Sequence, residues 1–467
     1  MTPPVRRTPA PPAAVIRKPG AGAGLGARRI ALEILLEAEH RGGYADAMLG
    51  ARIAAQEPAD RRLITRLVLG TLAWRGRLDY ELEQLTGRDL AGIQPEALEL
   101  MRMGLLQLRF LDRMPVHAVV STTVELAKRG AASRVAAGFI NAVMRRATRE
   151  TIALPPREPD LARHLAVAYS HPRWLVERFI EWFGADGAER LLAADNEAAP
   201  NVLRLNLGLG SRAEIIERLV EQGFEIGDGG YAPETIRLAG AARFDSEAYR
   251  AGLFVAQSEA SQLVARMLAP RTGAVLVDLA AAPGGKSTHL AELAGSDARI
   301  IALDRSYAGL KNARELAHRL RHHNLEFVRA DAAVALPLRA ASAEFVLLDA
   351  PCTGLGTLRE HPEIRWRVRP EDPVRIAVLQ SRMLENAAAI VRPGGAIVYS
   401  VCSLAPPEGE NVVRGFIDAH REFEVDCAPA IRAEAPDLFD AAGFMRTRPD
   451  RGGLDGFFAA RMIRKSA

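Results

Sequence analysis

The strongest constraint on the fold is an alternation of apolar, strand-like runs with helical stretches in the second half of the chain. Strands that are apolar along their whole length and joined by helical crossovers are typical of a parallel sheet covered on both faces. The sequence therefore predicts an α/β domain with a doubly wound, Rossmann-like parallel sheet. The predicted strands are Ala274–Leu279, Ile300–Leu303, Glu326–Val328, Phe345–Leu348 and Ala396–Ser400, with helices such as Ser287–Leu293 and Ala308–His322 between them.

The residues before this region have a different pattern. Apolar residues recur at spacings of three and four from about Arg28 to Arg149, which predicts an all-α bundle. Val202–Leu207 alternates like a strand and Ser211–Gln222 like a helix opened by its serine, which indicates a small mixed subdomain. We divide the chain into a flexible basic tail (1–26), an all-α domain (27–150), a helical linker with a small α/β subdomain (161–260) and the doubly wound domain (261–467).

Composition excludes several classes of protein. No run of about 18 uncharged apolar residues occurs, so we expect no membrane helix. Three cysteines, Cys352, Cys402 and Cys427, are too few for a disulfide framework or a four-ligand zinc site. We therefore expect a cytoplasmic protein, a monomer without a structural metal, in which any special cysteine has a chemical role.

Charge is distributed unevenly along the chain. Residues 1–150 contain 23 Lys and Arg against 15 Asp and Glu, whereas the whole chain has a net charge of only +4. Such asymmetry favours a front domain that binds a polyanion and a rear domain with another task. Solvated arginines on helix surfaces would give the same count, so charge alone leaves both interpretations open.

In a doubly wound sheet, the ligand lies beyond the carboxyl ends of the strands. After the first predicted strand, Gly284 and Gly285 precede a helix whose N-terminus favours an anionic group. Asp304 ends the second strand, 20 residues beyond Gly284, which suits a carboxylate that binds ribose hydroxyls. Asp331 follows the third strand and could approach an adenine edge, although each of these features also fits an ordinary turn or helix cap.

Two of the three cysteines follow adjacent strands at the same predicted edge. Asp349 and Cys352 follow the fourth strand, and Cys402 follows the fifth, whereas Cys427 has no such context and is interpreted as structural. One thiolate that adds to a pyrimidine ring and a second group that removes a proton would together permit methylation at carbon 5 of cytosine. A nearby carboxyl group would assist by hydrogen-bonding the base as charge develops.

These motifs resemble a known family. The series Ala280-Ala-Ala-Pro-Gly-Gly-Lys286, Asp349-Ala-Pro-Cys-Thr-Gly354, Arg359-Glu-His-Pro-Glu-Ile-Arg-Trp366 and Tyr399-Ser-Val-Cys-Ser403 is similar to that of the RsmB/Sun (Fmu) rRNA cytosine-C5 methyltransferases. The resemblance extends to the segments Asn201–Asn206, Gln257–Ser261 and Asp455–Phe458, and the helical front third resembles the NusB-like RNA-binding domain of that family.

The resemblance implies an S-adenosylmethionine-dependent enzyme that methylates RNA, with small-subunit (16S) rRNA favoured over tRNA. It implies that Cys402 is the nucleophile and Cys352 promotes release, a division that the residues alone left open. Asp349 and Lys286 complete the implied catalytic set. The chain departs from the family pattern at Ser258, Ala280 and Val401, none of which is a group that the mechanism requires. The implied cofactor-binding residues are Ala280, Ala281, Ala282, Pro283, Gly284, Gly285, Lys286, Asp304, Asp331 and Asp349.

Two other functions fit part of this pattern. A nicotinamide-dependent dehydrogenase also has a glycine-rich loop and an acid about 20 residues later, but Pro283 and Lys286 stand where such a loop would continue its glycine pattern. A non-catalytic RNA-binding or assembly factor could combine the basic helical domain with a silent methyltransferase fold. Such a protein could lose Cys402 without an effect on its function.

Overall fold

The computed structural model describes residues 24–41, 44–111, 114–130, 134–427 and 429–466. Most of the predicted basic tail, 1–26, lies outside the described residues, and its last two members already belong to the first helix. The chain packs as two units, Met1–Ala153 and Leu154–Ala467.

The first unit is helical throughout its described residues, as predicted. Its longest helix starts with Pro58 and ends at Thr86, and the following Gly87 caps the last turn with a left-handed φ of 68°. Buried side chains recur at spacings of three and four along it, including Ile64, Leu67 and Val68. The helices are α1 (Leu25–Arg41), α2 (Ala45–Ile53), α3 (Pro58–Thr86), α4 (Pro95–Phe110), α5 (Val116–Arg129) and α6 (Arg134–Ala147).

The second unit opens with two helices and a small antiparallel sheet, which matches the predicted small α/β subdomain. The sheet has the strand order β2-β3-β1-β4. Ser211 caps helix α9 through a reciprocal pair of hydrogen bonds with Glu214, as its position before the helix predicted. The elements are α7 (Leu161–Ala168), α8 (Arg173–Ala194), β1 (Asn201–Leu205), α9 (Arg212–Glu221), β2 (Ile226–Gly229), β3 (Thr235–Leu238), α10 (Glu247–Arg250) and β4 (Phe254–Ala256).

The remainder of the second unit is built on an eight-stranded sheet. Five parallel strands lie in the order β7-β6-β5-β8-β9, so the chain moves outward from β5 in one direction and then returns to continue on the other side. The elements are α11 (Glu259–Leu268), β5 (Val275–Asp278), α12 (Gly285–Ala294), β6 (Arg299–Asp304), α13 (Tyr307–Arg319), β7 (Leu325–Arg329), β8 (Ala343–Asp349), α14 (Ile364–Arg367), α15 (Asp372–Ile390), β9 (Val391–Val401), α16 (Glu410–Ala419), β10 (Phe423–Asp426), α17 (Pro429–Glu434), β11 (Met445–Thr447) and β12 (Phe457–Arg464).

The five predicted strands are parallel, as expected, but the sheet also has an antiparallel edge that the sequence analysis did not include. Strand β12 runs antiparallel between β9 and β10, and it also pairs antiparallel with β11. The chain reaches β12 from β11 through a turn region and not through a helical crossover, so it enters the sheet in the opposite direction. The Rossmann-like domain is therefore a mixed sheet with a parallel centre. In the described part of the chain, no helix is long and apolar enough to cross a membrane.

Candidate active site

The reversal of strand order between β5 and β8 creates a crevice at the carboxyl ends of these two strands. Strand β5 ends at Asp278, which is buried and whose Oδ2 accepts a hydrogen bond of 2.6 Å from the Ser287 hydroxyl. Burial raises the pKa of Asp278 to about 7. A carboxyl group in this environment holds the start of α12 against the end of β5.

The predicted glycine-rich loop connects β5 to α12 and packs closely against a neighbouring helix. Gly284 has a φ of 104°, and a Cβ built on it would lie 2.8 Å from the Cα of Ala313 in α13. No larger residue fits this position without moving the helix backbone. At Gly285, by contrast, an added Cβ meets nothing closer than 3.8 Å.

The predicted acids of the next two strands lie in different surroundings. Asp304 is half-buried at the end of β6, where its Oδ2 accepts from the backbone N–H of Ala282 at 3.0 Å and its Oδ1 from that of Ser306 at 2.7 Å. It therefore faces the loop. Asp331, beyond β7, is exposed, and its Oδ1 accepts from the backbone N–H of Ala333 at 2.9 Å within its own turn.

Lys286 and Asp349 form an ion pair across the crevice. The Lys286 ammonium donates to Asp349 Oδ2 at 2.7 Å, and the Ser400 hydroxyl donates to Oδ1 of the same carboxylate at 2.6 Å. Burial alone would lower the pKa of Lys286, but the charge and hydrogen bond of Asp349, together with the neighbouring Cys402 and Asp278, outweigh burial and raise this pKa above its ordinary value. Lys286 therefore stays charged, and its Nζ lies 5.3 Å from the centre of the Phe457 ring.

The two predicted site cysteines lie next to each other. Asp349 pairs with Ser400 in the parallel register of β8 and β9, so the segments that follow these strands leave the sheet side by side. The Cys352 and Cys402 sulfurs are 3.2 Å apart, and both side chains are half-buried. The hydrogen bond with Cys402 and burial raise the pKa of Cys352 well above its usual range, so Cys352 is a neutral thiol.

Cys427 lies outside this group. It is exposed just after β10. A structural free cysteine is usually a small buried hydrophobe, and Cys427 is not one.

Two further residues of the site were not assigned a role from the sequence. Glu408 is buried, and its carboxylate accepts hydrogen bonds from Thr353 and Ser403, which directly follow the two cysteines. Burial raises its pKa. In the sequence Glu408 stands in a Pro-Pro-Glu-Gly turn two residues before a helix, where an acid is commonplace.

Arg204 is the second such residue. It is fully buried on β1, where it donates to the Gly285 carbonyl at 2.6 Å, the Thr288 hydroxyl at 3.0 Å and Glu292 Oε1 at 2.9 Å. It also donates to the side chain of Gln257. These bonds tie the small antiparallel sheet to the first turns of α12, so a residue some 80 positions earlier in the chain supports the glycine-rich loop.

Comparison with known proteins identifies the family. A model described as "16S rRNA methyltransferase RsmB/F" matches residues 265–463, a "NusB family" model matches 25–149, and an "RsmF/B-like, ferredoxin-like domain" model matches 171–245. The probable ribosomal RNA small subunit methyltransferase B of Bacillus subtilis is 32% identical over 449 residues, which cover 94% of this chain and 98% of the relative. This chain belongs to the RsmB/F methyltransferase family.

Other relatives of this RsmB/F protein agree with that membership. The ribosomal RNA small subunit methyltransferase B of Thermus thermophilus is 36% identical over 444 residues, covering 94% of this chain and 97% of the relative. Among solved structures, PH0851 superposes with a TM-score of 0.80 at 27% identity and covers 94% of this chain and 98% of its own. The resemblance stated from the sequence motifs is confirmed, as are the NusB-like, small α/β and methyltransferase folds.

Membership makes the chain an S-adenosylmethionine-dependent RNA methyltransferase, and the crevice has the donor set that this cofactor requires. Asp304 offers carboxylate oxygens for ribose hydroxyls, and the start of α12 offers N–H groups for the methionine carboxylate. Within the described ranges, no group of three or more His, Cys, Asp and Glu residues is arranged to hold a metal ion.

Proposed function

We propose that this enzyme methylates carbon 5 of a cytosine in 16S rRNA, with Cys402 as the nucleophile. The observation that carries the proposal is the pair of thiols 3.2 Å apart beside the Lys286–Asp349 ion pair. Methyl transfer to an oxygen or to an exocyclic nitrogen needs no thiol pair, whereas carbon 5 of cytosine must first be activated by a nucleophile. The relatives named as ribosomal RNA small subunit methyltransferases support the choice of rRNA.

The first step is addition of the Cys402 sulfur to carbon 6 of the base. The new S–C6 bond turns the ring into an enamine, so that carbon 5 gains the electron density that it lacks in cytosine. Because Cys352 is a neutral thiol, its S–H can donate to the Cys402 sulfur and stabilise the thiolate before attack. S-adenosylmethionine supplies an electrophilic methyl group to carbon 5.

Asp349 and Lys286 position and stabilise the base. The Asp349 side chain is 28% exposed, so its carboxyl group can be reached by a base that enters the crevice. Lys286 and Ser400 hold its two oxygens in one orientation. A carboxyl group fixed in this way can hydrogen-bond the N3 side of the ring as charge develops there during attack.

The last step restores the aromatic ring. The C5–H bond breaks, its electron pair reforms the C5–C6 double bond, and the S–C6 bond breaks to release the Cys402 sulfur. Cys352 lies 3.2 Å from that sulfur, so it can accept the carbon-5 proton while it passes its own thiol proton to the departing Cys402 sulfur, which leaves both cysteines as thiols. The 3.2 Å distance is the same for both thiols, so the assignment of attack to Cys402 and release to Cys352 follows the family resemblance.

The target base must be unstacked, so that one face and the edge of its ring are accessible. Cys402 attacks one position of the ring while Asp349 contacts its edge, which a base stacked within a duplex does not permit. A cytosine in a loop or a single-stranded segment is expected. Phosphate contacts made by the basic all-α domain should make the affinity for RNA fall as salt concentration rises.

Bisulfite sequencing of total RNA from a deletion strain tests the proposal. One cytosine of 16S rRNA that resists bisulfite in the wild-type strain should be converted to uracil in the deletion strain. The wild-type gene, but not the Cys402→Ala variant, should restore its resistance to bisulfite. An unchanged 16S rRNA with a newly convertible tRNA cytosine would instead identify a tRNA methyltransferase. If neither RNA changes, cytosine C5 methylation is excluded as the function in that organism.

A further inference from the structure

Glu408 lies in a short helical turn, Pro406–Glu408, between β9 and α16, and the mechanism above gives it no role. Its side chain is completely buried. A carboxylate withdrawn from water is costly unless it is fully hydrogen-bonded. The hydrogen-bond partners of Glu408 therefore indicate which part of the structure the buried carboxylate stabilises.

The Glu408 carboxylate is bonded to both cysteine loops. Its Oε1 accepts from the backbone N–H of Thr353 at 2.7 Å, and its Oε2 accepts from the hydroxyls of Thr353 at 2.5 Å and Ser403 at 2.6 Å. The two hydroxyls are themselves 3.1 Å apart. Thr353 directly follows Cys352, and Ser403 directly follows Cys402, so a single carboxylate fixes the residue next to each thiol.

Glu408 is itself held from two further elements. Gln380 of α15 donates through Nε2 to Glu408 Oε1 at 3.3 Å and to the Pro351 carbonyl at 2.9 Å. The Tyr399 hydroxyl of β9 donates to the backbone carbonyl of Glu408 at 2.5 Å. The carboxylate therefore cannot follow one cysteine loop away from the other, because both its side chain and its backbone are anchored.

We propose that Glu408 is a positioning residue that holds Cys352 and Cys402 at the separation needed for release of the methylated base. The inference rests on the proposed roles of the two cysteines. Neither thiol is bonded to the carboxylate directly, so Glu408 acts through the hydroxyl and amide groups of Thr353 and Ser403. Its removal should loosen both loops without removing any group that contacts substrate.

Glu408→Met removes every side-chain acceptor while nearly preserving length and volume, and Glu408→Gln keeps one acceptor oxygen. In a Cys427→Ser background, phenylarsine oxide reports the separation of the two remaining thiols, because trivalent arsenic binds tightly only when both sulfurs reach it. Glu408→Met should weaken arsenical binding by about tenfold, while thiol titration of the denatured protein still counts two reduced cysteines. Glu408→Gln should lie between Glu408→Met and wild type.

The same variants should separate positioning from general stability. Glu408→Met should lower kcat about 100-fold and leave KM for S-adenosylmethionine within about twofold, because a misplaced catalytic group affects the chemical steps. Asp450→Leu is a matched control: it removes another buried carboxylate, one bonded to Arg448 and to neither cysteine loop. This control should retain both arsenical binding and kcat.

A second variant removes the same bonds from the other side. Thr353→Val combined with Ser403→Ala keeps Glu408 but deletes both hydroxyl donors, and it should reproduce the loss of arsenical binding if Glu408→Met does not fold. Full arsenical affinity and full kcat in these variants would overturn the proposal. Because the arsenical measurement involves no RNA, a loss of binding would support the positioning role even if Cys402→Ala left methylation intact and so refuted the proposed function.

Discussion

Lys286 Nζ lies 2.7 Å from Asp349 Oδ2, and this ion pair joins the glycine-rich loop after β5 to the end of β8. Lys286 lies in the first turn of α12, just after β5, and Asp349 ends β8; these are the two strands between which the strand order reverses. Lys286 lies at the start of α12, the helix whose N-terminus is expected to bind the cofactor. Asp349 lies three residues before Cys352. In the proposed function, the pair therefore connects the region that binds the methyl donor with the region that binds the base.

Asp349→Asn should lower kcat by about 100-fold to 1000-fold, because the amide no longer offers the base a charged acceptor and no longer balances Lys286. KM for S-adenosylmethionine should change little. Single-turnover methyl transfer to 16S rRNA separates the two constants. Asp418→Asn, an exposed carboxylate on α16, is the control, and an equal effect of the two substitutions would refute the catalytic role.

Gly284→Ala should raise the Kd for S-adenosylmethionine at least about tenfold. The added methyl group would lie 2.8 Å from the backbone of Ala313 at a φ of 104°, so the loop must move. Isothermal titration calorimetry measures the change. Gly415→Ala adds a methyl group on α16 where nothing lies within 4 Å, and its Kd should equal that of wild type. An unchanged Kd in Gly284→Ala would mean that the loop does not bind the cofactor.

Arg204→Met should destabilise the second unit by about 3 kcal/mol, because it leaves buried Glu292 and the Gly285 carbonyl without their main donor. Affinity for S-adenosylmethionine should fall with it, since the first turn of α12 loses support. Urea unfolding and calorimetric titration measure the two effects. Arg299→Met breaks an exposed pair with Glu326 and should cost less than about 1 kcal/mol.

The positions of the parallel strands and of the two site cysteines could be predicted from the sequence. The central strands are continuous apolar runs, and the pairing of Asp349 with Ser400 means that residues just beyond β8 and β9 must meet. The order of strands then places Lys286 opposite Asp349. These features depend on local hydrophobic patterns, which can be read from the sequence, and on the general rules of parallel sheets.

Arg204 and Glu408 could not be found in this way. The bond from Arg204 to Gly285 joins residues 81 positions apart, and that from Thr353 to Glu408 joins residues 55 apart. Neither residue interrupts a hydrophobic period or forms a recognisable spacing with its partner. The antiparallel β12 was missed for a related reason, since its place between β9 and β10 depends on the path of the whole C-terminal segment.

Stability should depend on pH through Asp195, which is buried with both carboxyl oxygens lacking a hydrogen bond to the described residues. Burial raises its pKa from 3.8 to about 7, with Arg365 opposing the rise. Because the unfolded carboxyl group ionises first, the folded state loses stability as pH rises between these values.

The replacement Asp195→Asn should remove this part of the pH dependence. Between about pH 5 and about pH 8, wild type should lose about 2 kcal/mol more of its free energy of unfolding than the variant does. Urea titrations of both full-length proteins at the two pH values give the difference. Identical pH dependence would show that Asp195 is ionised in the folded protein, as a partner of His171 3.5 Å away or of Arg365.

The division of labour between Cys402 and Cys352 is the central claim, and a covalent adduct with RNA reports it directly. Each variant is incubated with 16S rRNA and S-adenosylmethionine, and the protein is run on a denaturing gel for a band shifted by bound RNA. Cys352→Ala should accumulate this adduct because the S–C6 bond forms but cannot break, and Cys402→Ala should form neither adduct nor methylated product. An adduct in Cys402→Ala, together with its absence in Cys352→Ala, would contradict the account and reverse the two roles.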